Sequence, residues 1–144
     1  NELKNESHHG LTRYMHVMRV SKFTYKITKF LKMDYVSATR AALLHDYYTG
    51  SDLENISEAK KLKEHPYVAS KNAIKDFELN KKEINAIESH MFPIGKKLPR
   101  YKESWVLTTV DKGVATYEMT KYKWKNAIAV YMIFIMNMIM FGQK

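Results

Sequence analysis

Residues 34–49 read DYVSATRAALLHDYYT, and the reading of this stretch decides the fold. Asp34 is a good N-cap, because a short carboxylate can accept from the free N–H groups of a first helical turn. The helix it opens is expected to run from Tyr35 to Asp46. Its Ala38, Ala41, Ala42, Leu43 and Leu44 make a small-residue surface suited to close helix packing. The helix closes on the adjacent pair His45-Asp46. Buried without partners, such groups would cost on the order of 2–7 kcal/mol each even when neutral, so the pair implies a polar site inside the fold.

Working outward, the same helical period recurs. From about Thr12 to Leu31, the apolar positions Met15, Val17, Met18, Val20, Phe23, Tyr25, Ile27, Phe30 and Leu31 leave Lys22, Lys26 and Lys29 for solvent, which fits a long amphipathic helix with His16 and Arg19 on one face. Residues 47–64 carry Thr49-Gly50-Ser51-Asp52 and read as a polar connection with a short helix from Ser57 to Lys63. Pro66 suits the first position of a further helix through Phe77, which would place His65 at the helix mouth. Asn80 and Glu83 have capping-box spacing, and Ile84, Ile87 and His90 share a face before Pro93 and Gly95. A last helix, from about Lys102 to Lys121, has Asp111 in its middle. The expectation is an all-α bundle of about six helices, with one domain over residues 1–121 and a hydrophobic C-terminal helix over residues 122–144.

A chain of 144 residues can bury a core without covalent staples. It has no cysteine, which excludes disulfides, thiolate metal sites and a cysteine nucleophile, fits a cytoplasmic location, and leaves His, Asp and Glu as the strong metal ligands. The formal charge of +9 comes mostly from scattered lysines. Arg13, Arg19, Arg40 and Arg100 are the only arginines; the charge favours anionic partners without choosing among them, and with no nucleic-acid-binding signature present a nucleic-acid partner is not expected. The first ten residues, NELKNESHHG, lack the apolar core of a signal peptide. His8 and His9 stand close to the first long helix without an assignable role.

His16, His45, Asp46, His65, His90 and Asp111 are spread over several helices. Each alone has a structural explanation: an N-cap for His65, a backbone-bonded core ring for His90, a helix-to-helix hydrogen bond for Asp111. A shared metal would satisfy all of them at once.

The segments RYMHVMRVSKFTYKI, ATRAALLHDYYT, EHPYVASKNAI, AIESHMFPI and LTTVDKGVATYE together resemble small bacterial members of the HD-domain metal-dependent phosphohydrolase superfamily. The resemblance implies that His16, His45, Asp46 and Asp111 bind one divalent ion, and that Asp46 bridges to a second held by His65 and His90, with iron or manganese among the candidates. It implies hydrolysis of a nucleotide or related phosphate ester by a metal-activated water, centred on Asp46. Lys112, beside Asp111, and Arg19, one turn beyond His16, are expected to contact phosphate oxygens. Many members follow the His-Asp pair with a short stretch ending in lysine, whereas Thr49 stands there in this chain. The GYP motif of the cyclic-dinucleotide enzymes is absent. A non-catalytic binding module of the same fold and a two-iron oxygenase are the alternative classes.

The segment AIAVYMIFIMNMIMF, residues 127–141, is apolar apart from Asn137. A span needs ~20 apolar residues, so core packing or a homodimer contact is the leading expectation and membrane association the other.

Overall fold

The computed structural model describes residues 7–8 and 11–141, and its regular structure is helical except for a two-residue antiparallel pair, β1 (Ser7–His8) with β2 (Leu11–Thr12). His8 pairs with Leu11 in that ladder, and His9 lies outside the described residues. Thr12 then caps α1 (Arg13–Phe30), its hydroxyl accepting from the Met15 N–H at 3.3 Å. His16, Val17, Val20, Thr24 and Thr28 form the inward stripe of α1, at the three-and-four spacing of one helix face. The helix stops at a left-handed residue. Lys32 has φ 54°, its N–H reaches the Lys29 carbonyl at 3.1 Å, and the Met33 N–H reaches that of Thr28 at 2.9 Å, the two bonds of a Schellman ending.

Asp34 caps α2 (Tyr35–Leu44) as the sequence suggests, accepting from the Ser37 N–H at 3.1 Å. Ala38, Ala41 and Ala42 are buried to within 1%; with nothing larger than a methyl group there, α2 packs closely on α1 and α4. It ends two residues before the expected Asp46. His45 is its C-cap, and the chain tightens as the Tyr47 N–H returns to the Leu44 carbonyl at 3.1 Å.

A 3₁₀ turn (Gly50–Leu53) precedes α3 (Glu58–Asp76), which corrects the reading of two pieces broken at Pro66. Pro66 lies inside α3, and His65 is a mid-helix residue instead of a cap. A proline there removes one ladder bond, at a cost of about 3 kcal/mol in an isolated helix. Its ring is fully buried, with Ala69 and Ala73 below it in the core, so packing carries the helix through. The capping box at α4 (Lys81–Ser89) forms as expected: Asn80 Oδ1 accepts from the Lys82 and Glu83 N–H groups, and Glu83 accepts from the Asn80 N–H at 2.8 Å.

The last helix, α5 (Lys102–Phe141), runs on without a break through the Lys121 boundary. Leu107, Val110 and Val114 enter the core alongside Val20, Ala41, Ala69 and Ile87. Five α-helices are therefore present among the described residues. Beyond Glu118 every residue from 119 to 129 is exposed. Among the described residues no helix is long and apolar enough to cross a membrane.

Candidate metal centre

The bundle brings all six sequence-selected ligands to one buried place. α1 supplies His16, the end of α2 His45 and Asp46, α3 His65, the end of α4 His90, and α5 Asp111; each is buried. His16 Nε2 lies 3.0 Å from Asp111 Oδ1, and His45 Nε2 lies 3.6 Å from the same oxygen. Asp46 splits its carboxylate. Its Oδ2 is 3.6 Å from His45 Nε2, while its Oδ1 is 3.5 Å from His65 Nε2 and 3.9 Å from His90 Nε2. Two groups have ligand atoms mutually close enough to hold an ion: His16, His45 and Asp111, and His45, Asp46 and His90.

The tautomers follow from the partners of the other ring nitrogen, since a carbonyl can only accept. His45 Nδ1–H donates to the Ala42 carbonyl at 2.7 Å, His65 Nδ1–H to Lys61 at 2.9 Å, and His90 Nδ1–H to Ile87 at 2.7 Å. A neutral ring so arranged carries a lone pair on Nε2. His65 and His90 aim these lone pairs at each other across 3.0 Å, an arrangement that repels unless a cation lies between or a proton is shared. His45 Nε2 is buried with no hydrogen-bond partner. Converging imidazole nitrogens and carboxylate oxygens, one of them orphaned, fit a divalent transition metal bound through N and O.

Electrostatics of the ligand-free cluster point the same way. Burial alone would lower His45, but the Asp46 and Asp111 carboxylates outweigh it and raise the ring to about 9. Burial would likewise raise Asp46, yet His45, His65 and His90 hold it well below the ordinary carboxylate range. Asp111 is also held low despite burial, by His16 and His45. His90, desolvated and facing the other rings, is pushed down to about 3. A cluster that keeps buried carboxylates ionised and His90 neutral, and that draws a proton onto His45 between two carboxylates, is one in which a bound cation would take that proton's place.

Glu118 is one residue beside the centre that the sequence reading missed. Its Oε2 accepts from His16 Nδ1 at 2.8 Å, and Arg19 pairs with its other oxygen. This carboxylate–histidine contact fixes the His16 tautomer, as carboxylates behind ligand histidines commonly do. The available signal was spacing: Glu118 lies seven residues after Asp111, two turns along the same face of α5. Arg13 was missed as well. It is buried at the start of α1, donates to the Tyr48 carbonyl at 2.5 Å and stacks on the Tyr48 ring at 3.9 Å, which in turn lies 5.5 Å from His65.

Lys112 and Arg19, selected as phosphate contacts, are both engaged. Lys112 Nζ donates to the His90 carbonyl at 2.9 Å, and partial burial lowers its pKa. Arg19 faces Glu118. Thr49 turns into its own loop, where its N–H and hydroxyl both bond Asp52 Oδ2, at 2.7 and 2.9 Å.

Comparison with protein families matches the sequence model of the HD domain to residues 13–128. The chain belongs to the HD-domain family. No curated protein matches the chain. No solved structure matches it either. Membership in the HD-domain family places the chain in the metal-dependent phosphohydrolase superfamily, and the buried His and Asp groups of this HD domain could hold a divalent metal.

Proposed function

We propose that this HD domain hydrolyses a nucleotide or related phosphate ester at a centre of two divalent ions held by His16, His45, Asp46, His65, His90 and Asp111. The observation that carries the reading is the divided Asp46 carboxylate, with one oxygen toward His45 and the other toward both His65 and His90. Such ions polarise phosphoryl oxygens and acidify water when bound.

The chain's own residues supply position and charge. Glu118 orients His16 from behind and is itself held by Arg19. Lys112 ties down the carbonyl of His90 at the end of α4. Arg19 and Lys112 thus also steady the ligand frame, and together with Arg13, fixed over Tyr48 beside His65, they are the cations near the centre that we assign to phosphate oxygens. The formal charge of +9 raises the local concentration of any anionic substrate.

Metal content of the wild type and of His90→Ala, measured beside turnover of a panel of nucleoside and sugar phosphates, tests the proposal. About two ions per chain falling toward one, with hydrolysis lost on chelation and restored by added metal, supports it. Full hydrolysis by metal-free protein overturns it. Bound metal without turnover of any ester assigns the chain to the binding class, which the diversion of Thr49 into its loop would favour.

A further inference from the structure

We propose that a second site, a groove between α1, α2 and α5, binds an amphipathic anion with a single apolar tail, of the long-chain carboxylate type. This groove encloses about 1060 Å³, at the upper end of the range of small-molecule sites. Its walls are apolar, with Met18, Phe23, Leu43 and Tyr117 each 43–53% exposed. Its cations form one row along α1: Arg19, Lys22 and Lys26. Arg19 is paired with Glu118 behind the groove, but no carboxylate lines the groove, and among the described residues Lys22 and Lys26 enter no ion pair.

Three local features here each work against the stability of the isolated chain. Lys22 and Lys26 are like charges one turn apart on a helix, a mildly repulsive spacing. Large apolar side chains stand in water beside them. Gly113 sits in the middle of α5, where glycine weakens a helix relative to alanine. No packing demand explains it, because a Cβ at that position would meet nothing within 4 Å. All three border the same groove. One ligand chemistry answers all three: an apolar tail covers the walls and passes over Gly113, while an anionic head neutralises the lysine row. A second copy of the chain answers them less well. Its own apolar segment, residues 127–141, carries no acidic residue and would leave Lys22 and Lys26 unneutralised.

The test is titration of the full chain, with its metals, by dodecanoate, octanoate and dodecanol below their aggregation concentrations, followed by calorimetry. Expected is saturable binding of one dodecanoate per chain. Octanoate should bind more weakly by up to about fourfold per missing methylene, and dodecanol by about tenfold for want of the charge-assisted contact. Lys22→Gln with Lys26→Gln should erase the preference for dodecanoate over dodecanol. Gly113→Phe should fill the groove and abolish binding, with helix content by circular dichroism retained; Leu43→Trp serves as the independent blocking variant should Gly113→Phe lose helix. Equal affinity for dodecanoate and dodecanol, or binding unchanged in the blocking variants, overturns the proposal. So does an absence of binding coupled to a dimer that Gly113→Phe converts to monomer in sedimentation velocity, which would assign the groove to a second copy. Uptake by anionic vesicles without binding of dissolved dodecanoate overturns it in favour of a lipid surface.

Discussion

Replacing Glu118 by glutamine isolates what a residue outside the ligand set contributes to the centre. Glu118 is 1% exposed and accepts from two donors, His16 Nδ1 at 2.8 Å and the Arg19 guanidinium. A glutamine of the same shape offers one acceptor oxygen, so its NH₂ must face one of those donors. If the oxygen stays with His16, Arg19, whose side chain is 26% exposed, can turn to water at little cost. In either orientation the negative charge behind His16 is gone, and the ring becomes a weaker base toward anything bound at Nε2. Loss of a carboxylate behind a ligand histidine lowers metal affinity by about 10–100-fold, equivalent to about 1.4–2.8 kcal/mol. The loss should fall on the ion associated with His16, His45 and Asp111 and spare the one associated with His65 and His90. Competition titration against a chromophoric chelator, on wild type and Glu118→Gln, resolves two affinities and reads this directly. Unchanged affinities, or an equal fall in both, would refute the assignment of Glu118 to the His16 side.

Other perturbations bear on the ligands and on the frame that holds them. Asp46→Ala should remove both ions and all hydrolysis, because its two oxygens face separate clusters; retention of one ion at wild-type affinity, read by elemental analysis, would show that it does not bridge. Lys32→Gly should stabilise the fold by about 0.5–1 kcal/mol in urea unfolding, since Lys32 holds φ 54° at the end of α1 where glycine is free of the Cβ penalty. Asp34→Ala should cost about 1 kcal/mol of stability at neutral pH through loss of the α2 cap. Because the Ser37 backbone bond, the Ser37 hydroxyl and Lys82 hold the Asp34 carboxyl below its ordinary value, its contribution is complete above pH ~3.9 and is lost as pH falls through the lower folded value. Wild type and Asp34→Ala should therefore converge in acid, and a gap that widens on acidification would reverse the sign.

What could be read from the sequence was local or periodic. The Asp34 cap and the Asn80–Glu83 box each lie within four residues, and the alanines of α2 sit on one helix face, so their structural meaning is written in their spacing. The six candidate ligand positions were found for a different reason: taken singly each had a structural explanation, and the family pattern ordered them into one series, which five helices bring together as six buried polar side chains, two of them from the end of α2. Pro66 shows the limit of local reading. Its helix-breaking tendency is sound for an isolated segment, yet its ring is fully buried, as are Ala69 and Ala73 on the same helix face, and that burial offsets a penalty of about 3 kcal/mol, a balance that only the tertiary environment reveals.

Glu118 and Arg13 were hidden because charged residues default to solvent: the seven-residue spacing from Asp111 puts Glu118 on the same face of α5, but spacing alone does not say which of 24 Lys and Arg or 15 Asp and Glu will be enclosed. Both became visible through contacts across long separations, Glu118 with His16 and Arg13 with Tyr48. The same distinction explains Arg19 and Lys112. Spacing put each near a candidate ligand on its own helix, but the direction in which a long side chain turns depends on which acceptor lies within reach. A buried carboxylate captures the first and the His90 carbonyl at the end of α4 captures the second. Arg13 and Arg19 flank His16 at equal spacing on α1, yet one turns to the Tyr48 ring and carbonyl and the other to Glu118, so equal sequence distance from a candidate ligand leads to different surroundings.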